Sequence, residues 1–197
     1  AAHFSWPTPM LAAPTPAERR DRLVFFALAL LVLAAGFGLR DPWPADEPRF
    51  VLVAKQMVES GDFLFPHRGG ELYPDKPPFY FWLLSTAYGL VGSWRWSFLL
   101  PSLLSGLGVL WLVQDLGRRL WTPRAGLWAA IAVLASFQFV YQYKRAQIDP
   151  TLVFFTTVAF YGLCRHLLLG PSWRWFWGGC FAAGLGVISK GVGFLPL

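Results

Sequence analysis

The 197 residues are 55% hydrophobic and only 14% charged, with 17 Lys and Arg against 11 Asp and Glu for a net charge of +6. A mean hydropathy of +0.44 excludes an ordinary soluble domain. Much of the basic excess is Arg set between apolar runs, a distribution that suits cytoplasmic loops and not a nucleic-acid surface. The two cysteines, Cys164 and Cys180, lie in apolar runs, which excludes a disulfide scaffold, offers no metal spacing and predicts buried filler. Aromatics reach 18%, and many of the 11 Trp flank apolar stretches, as indoles at a bilayer surface do. Starting at Ala1 and stopping inside an apolar run, the sequence reads as part of a longer protein.

Residues 1–22 are rich in Pro and Ala and end in Glu18-Arg19-Arg20-Asp21-Arg22, which predicts a disordered cytoplasmic tail. Leu23 to Leu39 is free of charge and just long enough to cross about 30 Å of hydrocarbon. It is read as the first span, since no small-residue cleavage site follows it. Residues 40–94 are expected to form a structured external loop. Within it, Pro48 to Ser60 has helical periodicity, with Phe50, Val51, Val53, Ala54, Met57 and Val58 on one side and Leu52 as the exception. This helix is expected in the interface plane, ended by Gly61.

Phe79 to Val91 is too short to span and is expected to be interfacial or re-entrant. If it does not cross, Trp96 to Val113 is the second span and Arg118, Arg119 and Arg124 fall on the cytoplasmic side with the N-terminal arginines. Ala125 to Tyr143, Thr151 to Leu169 and a segment from Trp175 onward complete about five spans. The predicted class is an all-α, polytopic transmembrane helical bundle, with 23–197 as the N-terminal part of its membrane domain.

This topology gathers the external charges. Asp46-Glu47-Pro48-Arg49 begins the interfacial helix; its plain structural reading is a helix cap, its chemical one a carboxylate general base. Tyr73-Pro74-Asp75-Lys76-Pro77-Pro78 holds an acid and a base between prolines, where Lys76 could neutralise a phosphate or simply anchor among headgroups. Arg145 to Pro150 carries Asp149, again a candidate N-cap, and Lys190 stands inside an apolar run, costly without a partner. His67-Arg68 has no partner at zinc-ligand spacing.

The series Asp46-Glu47-Pro48-Arg49-Phe50, Met57, Gly61-Asp62, Pro66, Gly70, Tyr73, Lys76-Pro77-Pro78 and Tyr80-Phe81-Trp82 resembles the first external loop of GT-C membrane glycosyltransferases. The similar group includes the lipid A aminoarabinose transferases and the protein O-mannosyltransferase-like bacterial enzymes. Arg145 to Asp149 is similar to that family's second acidic loop, and Ser189-Lys190-Gly191 to its T-K-G element. The resemblance implies inverting transfer of a sugar from a polyprenyl-phosphate donor to a lipid, protein or glycan acceptor, at the external face of a bacterial inner membrane. It implies Asp46 as catalytic base, with Glu47 beside it and Asp149 as a second acid. It also implies Lys76, with Arg49 and Lys190, at the donor phosphate. Asp75 stands where related enzymes have an acid that helps hold a divalent metal, but Asp in place of Glu shortens the reach. Phe63 departs from the usual Trp. The competing expectations are a non-catalytic protein that binds or flips lipid-linked saccharides, and a transporter fragment in which Lys190 and Asp149 pair.

Overall fold

The computed structural model describes residues 15–190. Helix α1, Pro16–Ala34, starts before the apolar run because Thr15 and Glu18 close a capping box. Thr15 Oγ1 accepts from the Glu18 amide at 3.2 Å, and Glu18 Oε2 accepts from the Thr15 amide at 2.8 Å. Residues 16–22, expected as disordered tail, are therefore helical, while the rest of that tail, residues 1–14, lies outside the described residues. Gly36 and Gly38, both with positive φ, end the run before Leu39. A side chain at Gly38 would strike the Trp96 ring.

Helix α2, Asp46–Ser60, closes at Gly61 with φ 73° as expected, and buries Phe50, Val53, Ala54 and Met57 while Leu52 faces outward. A two-residue hairpin that the sequence reading did not anticipate follows, β1 (His67–Arg68) and β2 (Glu71–Leu72), pairing His67 with Leu72 and Arg68 with Glu71. Helix α3 occupies Phe79–Val91, the expected bounds. Its Tyr80, Phe81 and Leu84 pack on the apolar face of α2 around Tyr73 and Ile148.

Helices α4 (Trp94–Ser97) and α5 (Leu100–Leu120) continue one another, so the second span extends at both ends. The third departs from expectation: α6 (Pro123–Ala135) and α7 (Phe137–Tyr143) meet at 70° across Ser136. Packing explains the break. Phe139 and Tyr143 turn into the core shared with α1 and α5, and Gly106 supplies the notch, since a Cβ there would lie 2.8 Å from Tyr143 Cδ1. Helices α8 (Ile148–Leu168) and α9 (Trp173–Lys190) complete the described bundle.

Glycine contacts set the closest crossings. A Cβ on Gly162 of α8 would stand 2.4 Å from the Trp175 carbonyl oxygen of α9, and one on Gly117 of α5 would stand 2.7 Å from Gly126 Cα of α6. By length and composition, 94–120 and α8 can cross a membrane, and α6 with α7 makes a third span if the bent pair is counted as one. The remaining two expected spans, α1 and α9, are helices, but α1 carries Glu18 to Arg22 and α9 is diluted by Trp and Gly. Leu23, Leu31, Trp128, Phe160 and Phe181 are all exposed, the surface of a membrane-embedded bundle. Cys180 is exposed and Cys164 half-buried, correcting the expectation that both are buried.

The bundle has two distinct ends. At one, Arg40 after α1 donates to the Lys144 carbonyl before α8 at 2.8 Å, and Ser102 at the start of α5 donates to the Arg145 carbonyl at 2.6 Å. The end of α1 and the start of α5 thus lie at one end of the bundle, the placing expected if α3, too short to span, does not cross. At the other end Asp115 of α5 is buried against Arg118, Arg119 and the Tyr161 hydroxyl, and Arg165 lies 4.4 Å above the Trp175 ring.

Candidate active site

The first turn of α2 is not capped by its acids: the residue before it, Ala45, is helical and makes no side-chain cap. Glu47 turns back instead and is fully buried. Its two oxygens accept from both terminal nitrogens of Arg40 at 2.6 and 2.9 Å, from the Trp43 amide at 2.6 Å, and from the Ala146 amide at 2.9 Å. The Arg40 guanidinium is itself enclosed by the Trp43 and Phe98 rings, with centroids 5.2 and 5.3 Å away. Burial pushes the Glu47 carboxyl up, but Arg40 and the two amides outweigh it and hold the group below its ordinary value. A buried carboxylate with every strong acceptor position engaged is a clamp between the loops before α2 and α8. Glu47, expected beside the catalytic base, is engaged in this clamp.

Asp46, one residue earlier, faces the other way. Its side chain is 41% exposed, and Oδ1 accepts from Arg49 at 2.5 Å. Arg49 in turn lies 5.1 Å from the Phe50 ring centroid, which fixes the guanidinium beside the acid. The second motif approaches here. Tyr73 is buried in the α2–α3 core, its hydroxyl has no hydrogen-bond partner among the described residues, and it lies in the field of Arg49, Asp75, Arg68 and Asp46. Burial chiefly holds its phenol above the ordinary range. Asp75 is exposed; Lys76 is half-buried and in no ion pair among the described residues.

The third and fourth elements meet directly. Lys190 at the end of α9 donates to Asp149 in the first turn of α8, and both side chains stay more than a third exposed. This is the pairing expected of a transporter path, but it sits at the same end as the Arg40–Glu47 clamp. Asp46, Arg49, Asp75, Lys76, Asp149 and Lys190 thus share the end opposite the arginine cluster. Among the described residues no three His, Cys, Asp or Glu side chains gather to hold a metal, and Asp75 is exposed. The sequence reading missed Arg40 and the Ala146 amide. Arg40 could have been noticed as the one cation between the first apolar run and Asp46-Glu47, whereas a backbone N–H carries no side-chain signature.

The chain is 29% identical over 177 residues to an undecaprenyl phosphate-alpha-4-amino-4-deoxy-L-arabinose arabinosyl transferase of Pseudomonas savastanoi pv. phaseolicola, covering 87% of this chain and 33% of that protein. It is 32% identical over 184 residues to the Edwardsiella ictaluri enzyme of the same name, covering 88% and 31%. The chain therefore spans about a third of the length of the curated relatives it matches. The crystal structure of ArnT from Cupriavidus metallidurans bound to undecaprenyl phosphate superposes with a TM-score of 0.83 at 26% identity, covering 88% of this chain and 33% of that one. The apo structure of the same protein gives 0.83 at 27% identity, covering 91% and 35%. Residues 75–196, more than half of the sequence, match the family described as dolichyl-phosphate-mannose-protein mannosyltransferase, and the chain belongs to that family.

Proposed function

We propose that this chain supplies the N-terminal part of a membrane glycosyltransferase that moves a sugar from a polyprenyl-phosphate donor to a lipid, protein or glycan acceptor. The reaction takes place at the external face of the bacterial inner membrane. The observation that carries the reading is an exposed carboxylate, Asp46, and a cation with no ion-pair partner among the described residues, Lys76, on one end of the bundle. The opposite end carries the arginines that mark a cytoplasmic face.

In the proposed reaction Asp46 takes the proton of an acceptor hydroxyl or amine as that atom attacks the anomeric carbon. The new bond forms on the face opposite the breaking carbon–oxygen bond, so the anomeric centre inverts. The electron pair departs with the polyprenyl phosphate, whose charge Lys76 neutralises as a point charge. Arg49 orients the Asp46 carboxylate, and the Asp149–Lys190 pair forms the neighbouring wall with its ammonium available to the phosphate. Glu47, through Arg40, holds Asp46 in register with that wall. The names of the relatives make 4-amino-4-deoxy-L-arabinose the first donor sugar to test.

The test uses the full-length protein in nanodiscs with an undecaprenyl-phosphate-linked aminoarabinose donor. Transfer that Asp46→Asn abolishes, with donor binding kept, is the expected result. Turnover retained in Asp46→Asn ends the base assignment, and donor binding without any transfer by the wild-type protein favours the non-catalytic reading.

A further inference from the structure

At the arginine-rich end, remote from the candidate active site, a cavity of about 290 Å³ opens between the start of α1, the last turns of α5 and the first turn of α6. Glu18, Asp21 and Arg22 line it from α1, and Arg124 lines it from α6. Glu18 keeps one oxygen on the Thr15 amide, and among the described residues the one ion-pair partner of Asp21 is exposed Arg20, at 3.4 Å. Among the described residues neither Arg22 nor Arg124 forms an ion pair, so opposite charges face one cavity without meeting across it.

Helix α5 contributes Gln114, which is 3% exposed and lines the same cavity. Its Oε1 is buried and has no hydrogen-bond partner among the described residues. A buried amide oxygen left unpaired among the described residues is costly, and a hydrogen-bond donor that entered the cavity and reached it would remove that cost. Depth narrows the occupant. Trp121 and Trp128 flank the first turn of α6 and are 65% and 68% exposed. Indoles so placed sit at the level of lipid headgroups.

We propose that this cavity binds the headgroup of a phospholipid carrying a primary ammonium, phosphatidylethanolamine. Its phosphate lies between Arg22 and Arg124, and its ammonium donates to Gln114 Oε1 and faces Glu18 and Asp21. The chemistry separates this lipid from the alternatives. A choline headgroup has the charge but no N–H for Gln114. A glycerol headgroup donates O–H but leaves the two carboxylates facing no cation.

The experiment is native mass spectrometry of the full-length protein released from nanodiscs of mixed phosphatidylethanolamine, phosphatidylcholine and phosphatidylglycerol. The expected result is retention of phosphatidylethanolamine above the other two. Gln114→Leu keeps the side-chain bulk, removes the acceptor, and should lower that retention about tenfold, the worth of one charge-assisted hydrogen bond. Arg124→Gln should lower it as well, and it serves as the second reading if Gln114→Leu fails to fold. Equal retention of the three lipids overturns the proposal, as does unchanged retention in Arg124→Gln and in a folded Gln114→Leu. Retention that appears only after deletion of residues 1–14 also overturns it, since the chain's own terminus would then fill the cavity. Displacement by added undecaprenyl phosphate would assign the cavity to the donor instead and equally refute it.

Discussion

Replacing Glu47 separates positioning from proton transfer. Glu47→Ala leaves the Arg40 guanidinium, only 21% exposed, with an uncompensated charge, and leaves the buried Ala146 amide without an acceptor. Removing one partner of a buried ion pair costs about 3–5 kcal/mol. Glu47→Gln keeps the shape and one acceptor oxygen but turns an NH₂ group toward donors, for about 2 kcal/mol. Unfolding of the full-length protein in detergent, followed by tryptophan fluorescence, should rank wild type above Gln above Ala. Acid sensitivity gives a second reading. The folded carboxyl is held below its ordinary value of 4.5, so its contribution is complete above that pH and is lost as pH falls through the lowered value. Glu47→Gln should remove this part of the acid limb. A Glu47→Gln protein as stable as wild type, with the same acid limb, would refute the clamp.

Other substitutions test the rest of the arrangement. Asp46→Ala should abolish turnover while abundance and unfolding stay near wild type, because the side chain is 41% exposed and holds only Arg49; a large loss of stability would contradict that placement. Lys76→Ala should raise the KM for the donor more than it lowers kcat, and unchanged donor affinity would remove it from the phosphate. Gly162→Ala meets the Trp175 carbonyl oxygen at 2.4 Å and should cost about 1–3 kcal/mol, whereas Gly184→Ala meets nothing within 4 Å and should be neutral or better; similar unfolding of the two would discount the close α8–α9 crossing. Single cysteines at Glu71 and Trp121, both exposed, in a protein lacking Cys164 and Cys180, should label from opposite sides of sealed vesicles, and labelling from one side would mean that α3 crosses.

What was legible in the sequence is what local chemistry decides. The bounds of α3 follow from Pro77-Pro78 before it and Gly92 after it, and the end of α2 from Gly61. The expectation that α3 does not cross rests on its length and the placing of arginines. Thr15 and Glu18 were also visible as a capping pair, but Pro and Ala around them read as disorder. The bend at Ser136 was not legible, because it depends on a notch at Gly106 for a ring 37 positions later. Asp46 and Glu47 looked alike as neighbouring acids. Only the partners of Glu47, a guanidinium seven residues back and an amide 99 residues ahead, separate a buried post from the solvent-facing carboxylate of Asp46.

The 99-residue reach from Glu47 to the Ala146 amide also orders events during synthesis. At about 5–20 residues per second, Ala146 follows Glu47 out of the ribosome by roughly 5–20 s. Through that interval α2 can pack on α3 and Glu47 can hold Arg40, but one carboxylate position stays open to water. Closure waits until the chain has passed through α5, α6 and α7 and returned to the same side. A nascent chain halted before Ala146 therefore carries the Asp46 motif without its final anchor, and the order of membrane insertion becomes the order in which this end of the bundle takes shape.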